Sequence, residues 1–267
     1  MRQYVAYFKL RFIASLQYRV AAIAGILTQF AFGFIFVMIY IAFYQSNKSG
    51  APMELNQVVT YLWLQQSFFS FLYLYYRDKE ILTMIKNGDV AYELCRPGNL
   101  YIKWYIKIFS SKLAALTLKF APILLVAIFL PEPYRMMLPP NLEVFFTFLL
   151  SIGFSLFLIP AFCALIHLLS FFLLDDRGIY TFVISFAEIF AGNAIPLPFF
   201  PDLLQKIANL LPFRYMTDLP FRIYTGHIPL SAAFPQIIIQ FFWTVIFVGI
   251  GFFMTKKALN KVVVQGG

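Results

Sequence analysis

The residues able to do covalent or metal chemistry are few and scattered. The only histidines, His167 and His227, stand sixty positions apart, and the only cysteines, Cys95 and Cys163, sixty-eight. The chain has no G-x-x-x-x-G-K-[ST] loop to cradle phosphates, no H-E-x-x-H and no paired-cysteine metal spacing. The expectation is no catalytic residue, no metal site, no cofactor held by this chain and no ATP hydrolysis by it. An intramembrane enzyme, one that modifies lipids for example, needs a nucleophile or base grouped with partners, and no such group emerges.

The remaining candidates are polar side chains inside otherwise apolar runs. Lys119, His167 and Glu188 sit within such runs, Gln65 and Gln66 are adjacent in another, and Asn193 follows Glu188 by five residues. A charge at bilayer depth costs about 3 kcal/mol on insertion scales, so each calls for a partner or a purpose. Glu188, Asn193, His167 and Gln65 read as part of a substrate path or subunit interface. Equally, Glu188 reads as a hydrogen-bonded lock between helices. His167 reads as an interhelical hydrogen bond or a proton relay. Lys119, two turns past Lys112, reads as a side chain snorkelling toward the inner leaflet.

Apolar spans must position these groups. Hydrophobic residues make up 61% of the 267 and charged residues only 12%, about half the charged share of a soluble domain. Such a surface does not keep a chain in water. Backbone crossing lipid must satisfy its own hydrogen bonds, so the spans are helices, and the short alternating segments of a membrane barrel are missing. The predicted fold is all-α and integral to the membrane, a single transmembrane domain over 1–267. It has an interfacial helix at 1–19 and six spans at about 20–44, 57–76, 113–130, 143–174, 179–195 and 235–255. The thirty-two apolar residues of 143–174 would make a helix of ~48 Å, so it must tilt, kink at Pro160 or project. Residues 195–234 carry prolines at 196, 198, 201, 212, 220 and 229, too many for one spanning helix. Within them Leu203, Leu204, Ile207, Leu210 and Leu211 form one helical face, the mark of a short interfacial or re-entrant helix. The whole segment reads as an extracytoplasmic lid before the last span.

The interfacial helix places Val5, Phe8, Phe12 and Leu16 on one stripe among Arg2, Lys9, Arg11 and Arg19, suited to an anionic leaflet. The first apolar run is too long for a cleaved signal and is preceded by about nineteen mixed residues, so it is expected to stay. With the N-terminus inside, fifteen of the 21 Lys and Arg fall on the cytoplasmic side, five outside, and Lys119 lies in the membrane. That bias places both termini in the cytoplasm, as expected of a bacterial inner-membrane protein. The net charge of +9 is a topology signal in this arrangement, with no nucleic-acid partner implied. A Cys95–Cys163 disulfide is not expected, since one lies in a loop and the other in a span.

The segment from Arg77 to Lys112 is the most informative. Arg77–Lys86 is predicted to continue the second span as a helix into the cytoplasm, with Asn87-Gly88 as its stop. Asp89 then reads as the N-cap of a short helix, Val90 to Cys95, that Pro97-Gly98 ends. A short helix between two sharp turns is a rigid peg; the plainer reading is a solvated connection.

The run Ile85-Lys86-Asn87-Gly88-Asp89-Val90-Ala91-Tyr92-Glu93-Leu94-Cys95-Arg96-Pro97-Gly98-Asn99 resembles the loop of type-2 ABC exporter permeases. In that family a short coupling helix enters a groove on the ATP-binding subunit. Leu211-Pro212-Phe213, Leu219-Pro220 and Tyr224-Thr225-Gly226 resemble the segment such permeases carry before their last span, and the span count and length agree over the whole chain. The resemblance implies two permease chains, identical or related, forming a pathway through membrane lipid. It further implies two copies of an ABC ATPase subunit, with ATP and Mg bound there, docked through the 86–97 loop and the N-terminal helix. The residues it assigns to ATPase coupling are Lys86, Gly88, Asp89, Val90, Glu93, Leu94, Arg96 and Pro97, with Asp89 and Arg96 orienting the peg. The rival expectations are a lipid-modifying intramembrane enzyme and a non-transporting membrane scaffold.

Overall fold

A computed structural model describes residues 2–46, 50–95, 97–173 and 176–260. All regular structure among the described residues is helical: α1 Arg2–Leu16, α2 Arg19–Ser46, α3 Leu55–Leu72, α4 Lys79–Asn87, α5 Val90–Leu94, α6 Leu100–Phe129, α7 Leu142–Leu169, α8 Asp176–Phe190, α9 Asp202–Leu210, α10 Asp218–Tyr224 and α11 Leu230–Leu259. Four of these, α2, α6, α7 and α11, are long and apolar enough to cross a membrane. At 1.5 Å per residue their 28 to 30 residues reach ~42–45 Å, more than the ~30 Å of a hydrocarbon core. The chain is thus built as an all-α, multi-pass membrane protein.

The two shorter apolar helices differ from these. Helix α3 has 18 residues, most of them buried between α2 and α6, so protein rather than lipid surrounds its Thr60, Gln65, Gln66 and Ser67. Helix α8 has 15 residues and packs lightly on its neighbours, leaving Ile179, Phe182, Phe186 and Ile189 exposed.

Close backbone approach seats α2 on α3. A Cβ at Gly33 would stand 2.7 Å from the Trp63 ring, so only glycine fits there. Phe34 meets that ring edge-on at 5.3 Å, and Trp63 Nε1 donates to Tyr134 O at 2.8 Å. Helices α7 and α11 are joined by a buried amide: Gln240 Nε2 lies within 2.9 Å of Ser151 O, Ser155 Oγ and Tyr215 O. The Pro-rich stretch breaks up as predicted, into turns at 197–199 and 213–215 with α9 and α10 between and after them. Helix α10 packs inward on α7 and α3, whereas α9 turns Leu203, Leu204, Ile207 and Leu210 outward.

Several boundaries depart from the sequence reading. The predicted third span, 113–130, begins thirteen residues earlier, because Asn99 caps Ile102 N–H and Lys103, Lys107 and Lys112 find partners. Helix α7 ends at Leu169 rather than 174 and carries Pro160 within it. Helix α8 ends at Phe190, short of 195, and α11 extends beyond 235–255 at both ends. Helix α1 runs parallel to the first turns of α6, with Tyr4 Oη accepting from Asn99 N–H at 2.8 Å and Phe8 against Phe109 at 5.9 Å. Phe8, Phe12 and Leu16 of the predicted stripe, with Tyr4, are thus half-buried against protein, whereas Val5 is exposed.

Candidate functional site

Helix α3 stops at Leu72 and α4 starts at Lys79; residues 73–78 between them are non-helical and partly buried. The predicted continuous helix through Arg77 is thus interrupted. Free backbone groups there need partners, since burying them unpaired costs a few kcal/mol each. Three side chains from other helices supply them. Lys112 Nζ donates to Phe71 O at 2.9 Å and Tyr73 O at 2.7 Å, at the electronegative C-terminus of α3. The Glu188 carboxylate accepts the Leu74 N–H at 2.6 Å. His167 Nε2 accepts the Asp78 N–H at 2.9 Å, which leaves the ring proton on Nδ1, 2.7 Å from Cys163 O.

Charged groups continue from there to the N-terminal helix. Asp78 caps α4 by accepting from Ile81 N at 3.0 Å, and the same Oδ1 lies 2.7 Å from Lys107 Nζ. Lys107 also reaches Glu80 at 2.7 Å, and Glu80 receives both terminal nitrogens of Arg11 at 2.8 and 3.1 Å. Arg11's hydrogen bonds, reinforced by Lys107, hold the Glu80 carboxyl at about 2. The break and its flanks thereby bring together α1, α3, α4, α6, α7 and α8. Lys107 and Lys112 are only 4% and 2% exposed, so the C-terminal end of the predicted charged segment is interior. Two buried lysines on one helix are costly unless fully partnered, and both are.

The sequence-predicted path residues fall into two places. Glu188 accepts from Asn193 Nδ2, and Gln65 Nε2 donates to Asn193 O at 2.5 Å, so these three form one cluster beside α3. Asn193 Oδ1 stays buried without a partner there. His167 sits apart, at the far end of the break. Lys119 lies in the seam between α2 and α6, where a Cβ at Gly25 would come 2.6 Å from its Nζ.

Beyond α4 the chain makes the turn expected of it. Gly88 ends α4 at φ +76°, a conformation that other residues resist. Asp89 stands at the N-cap of α5 yet makes no capping bond; its Oδ2 instead lies 3.4 Å from Asn87 Nδ2, a correction to its predicted role. The five-residue α5 is anchored by Val90, 1% exposed, and by Lys103 Nζ, which lies 3.3 Å from both Glu93 O and Glu93 Oε2. Outward it presents Tyr92, 73% exposed, and Leu94, 47% exposed, with Lys86 and Pro97 on the surface nearby. Arg96 lies outside the described residues.

Sequence reasoning missed Asp78, Lys107, Lys112 and Tyr92. A signal for the lysines was present: Leu100, Trp104 and Ile108 recur every fourth residue after a capping asparagine, which extends α6 back through Lys103, Lys107 and Lys112. Fold and site together define a multi-pass helical membrane protein with a buried charged joint beneath one of its helices. No protein-family model matches the chain, and a search of curated proteins finds no match.

Proposed function

We propose that the chain is the membrane permease subunit of a type-2 ABC exporter. In this reading α3 and α8 join the four long helices to make six crossings, both termini face the cytoplasm, and two permease chains enclose the pathway. A separate ATPase docks beneath, through α5 and α1. The observation that carries the reading is the geometry of the α4–α5 peg. Tyr92 and Leu94 project from a helix too short to be stable alone, yet fixed by Val90, the Gly88 turn and the Glu93–Lys103 pair. An exposed aromatic and an exposed leucine on a rigid polar-flanked knob suit a pocket on another protein. Force applied there reaches α1, α6 and α7 through Glu80, Lys107, Asp78 and His167 without crossing a flexible link.

In this account Lys112, Glu188 and His167 hold backbone at the joint and do not line a reaction centre, which favours transport coupling over an intramembrane enzyme. The test is the composition and activity of the complex purified from membranes. An ATPase subunit carrying a phosphate loop is expected to co-purify with the wild-type chain. The Tyr92→Glu/Leu94→Glu variant should insert normally but lose that subunit at least tenfold. Retention of the ATPase by the double variant, or full transport by the chain without any ATPase, would overturn the reading.

A further inference from the structure

An apolar cavity lies toward the other end of the bundle from the joint. It has a volume of about 800 Å³ and runs between the second half of α6, the first half of α7 and the flank of α3. Phe68, Phe120, Phe145 and Phe148 line it, Leu116 and Ile152 close its deep end, and the 136–142 segment roofs it. The roof is fixed rather than loose: Met136 N–H donates to Ala127 O and Met137 N–H to Thr60 Oγ1, both at 2.9 Å. Its few polar neighbours do not invite a polar ligand. Asn141 Oδ1 is occupied capping Val144 at 2.8 Å, and Thr117 Oγ1 bonds Ala114 O at 2.8 Å. Among the described residues no charged side chain lines the space, and the nearby Arg135 is paired with Glu132 at 2.9 Å.

We propose that this cavity binds one long acyl or alkyl chain of a membrane amphiphile, entering sideways between α6 and α7. The lining disfavours a charged occupant, because no charged side chain within would replace its lost hydration. At about 800 Å³ the space has the size of a small-ligand pocket, and Leu142 and Leu149 on its α7 wall are exposed at the surface. A single flexible chain fits the elongated space and leaves its headgroup beside the exposed Leu138 and Leu142. Water is a poor alternative, since an apolar cavity of this kind stays dry unless something apolar enters. The inference rests on membrane embedding alone, not on the exporter reading.

The test uses the full chain in nanodiscs, without any ATPase, so that its outcome is independent of the proposed coupling. A phosphatidylcholine carrying a diazirine near the end of one acyl chain is photolysed, and the labelled peptides are mapped by mass spectrometry. Label is expected to concentrate on residues 116–128 and 141–152 and to fall at least fivefold under excess unlabelled long-chain phosphatidylcholine. Filling the space from its half-open wall, by Leu124→Trp or Leu149→Trp, should reduce labelling there about tenfold. Leu203→Trp on α9 should leave it unchanged. Label spread evenly over α2, α6, α7 and α11, or labelling at 116–128 and 141–152 that unlabelled lipid does not compete, would overturn the proposal. The competition arm decides the matter even if the tryptophan variants fail to fold.

Discussion

Replacing Lys107 with methionine probes the joint most sharply. Methionine keeps most of the side-chain length and removes only the charge and its three donors. Glu80 is about half exposed and retains Arg11, so its loss is minor. Asp78 is different: it is buried, and without Lys107 its carboxylate keeps, among the described residues, the Ile81 N–H and the Tyr76 hydroxyl. Breaking a buried ion pair by removing one partner costs about 3–5 kcal/mol, most of it the penalty on the charge left behind. At roughly 2–4 °C per kcal/mol for a chain of this size, the unfolding midpoint should fall on the order of 10 °C. The assay is thermal unfolding in nanodiscs at one heating rate, followed by the fluorescence of Trp63, Trp104 and Trp243. The Asp78→Asn/Lys107→Met double variant removes both charges but keeps an oxygen to cap α4. It should recover most of the loss, standing within about 1–2 kcal/mol of wild type. A single variant within about 2 °C of wild type, or a double variant as unstable as the single, would refute the argument that this pair is buried and mutually dependent.

Other expectations concern the surrounding contacts. Glu80 titrates near 2 in the folded chain against an ordinary 4.5, so its contribution is complete above about 4.5 and is lost as pH falls toward 2. Glu80→Gln should therefore flatten the acid-side fall in stability between those values, and an unchanged slope would contradict the Arg11 contact. Gly88→Val places a β-branched residue at φ +76° and should cost about 1–2 kcal/mol of local stability at the α4–α5 turn. Hydrogen exchange at 85–94 should rise with little change elsewhere; no local change would deny the turn its structural role. Gly33→Leu drives a side chain into the Trp63 ring and should separate α2 from α3, read as lowered yield and a shifted Trp63 emission. Normal yield and emission would show that those helices have room that the structure does not.

The parts of the fold that were legible in the sequence share a physical cause. Apolar runs, the Asn87-Gly88 stop and the Pro-broken stretch at 195–234 act locally, through hydropathy and backbone restriction, and α4, α5 and α9 follow from them. The joint was not legible, because it depends on partners far along the chain. Lys107 and Lys112 look like loop charges until Asp78, Phe71 and Tyr73 are seen to meet them, across 29 to 41 residues. The break at 73–78 is likewise invisible: Leu72-Tyr73-Leu74-Tyr75-Tyr76 is as compatible with helix as with strand, and Lys112, Glu188 and His167 tip the balance. Glu188, Asn193, His167 and Gln65 stood out because an isolated polar group in an apolar run demands a partner. The sequence could not say that for Glu188 and His167 the partner is a backbone N–H.

The central claim is that α5 faces the cytoplasm and seats in another protein. It is tested most directly by the Tyr92→Cys variant, in a chain whose native cysteines, Cys95 and Cys163, are replaced by serine, exposed to a membrane-impermeant maleimide. In intact cells the introduced thiol should stay unlabelled. After permeabilisation it should react slowly while the complex is whole and at least tenfold faster once the ATPase is stripped away. Rapid labelling in intact cells, or a rate indifferent to the ATPase, would contradict the account.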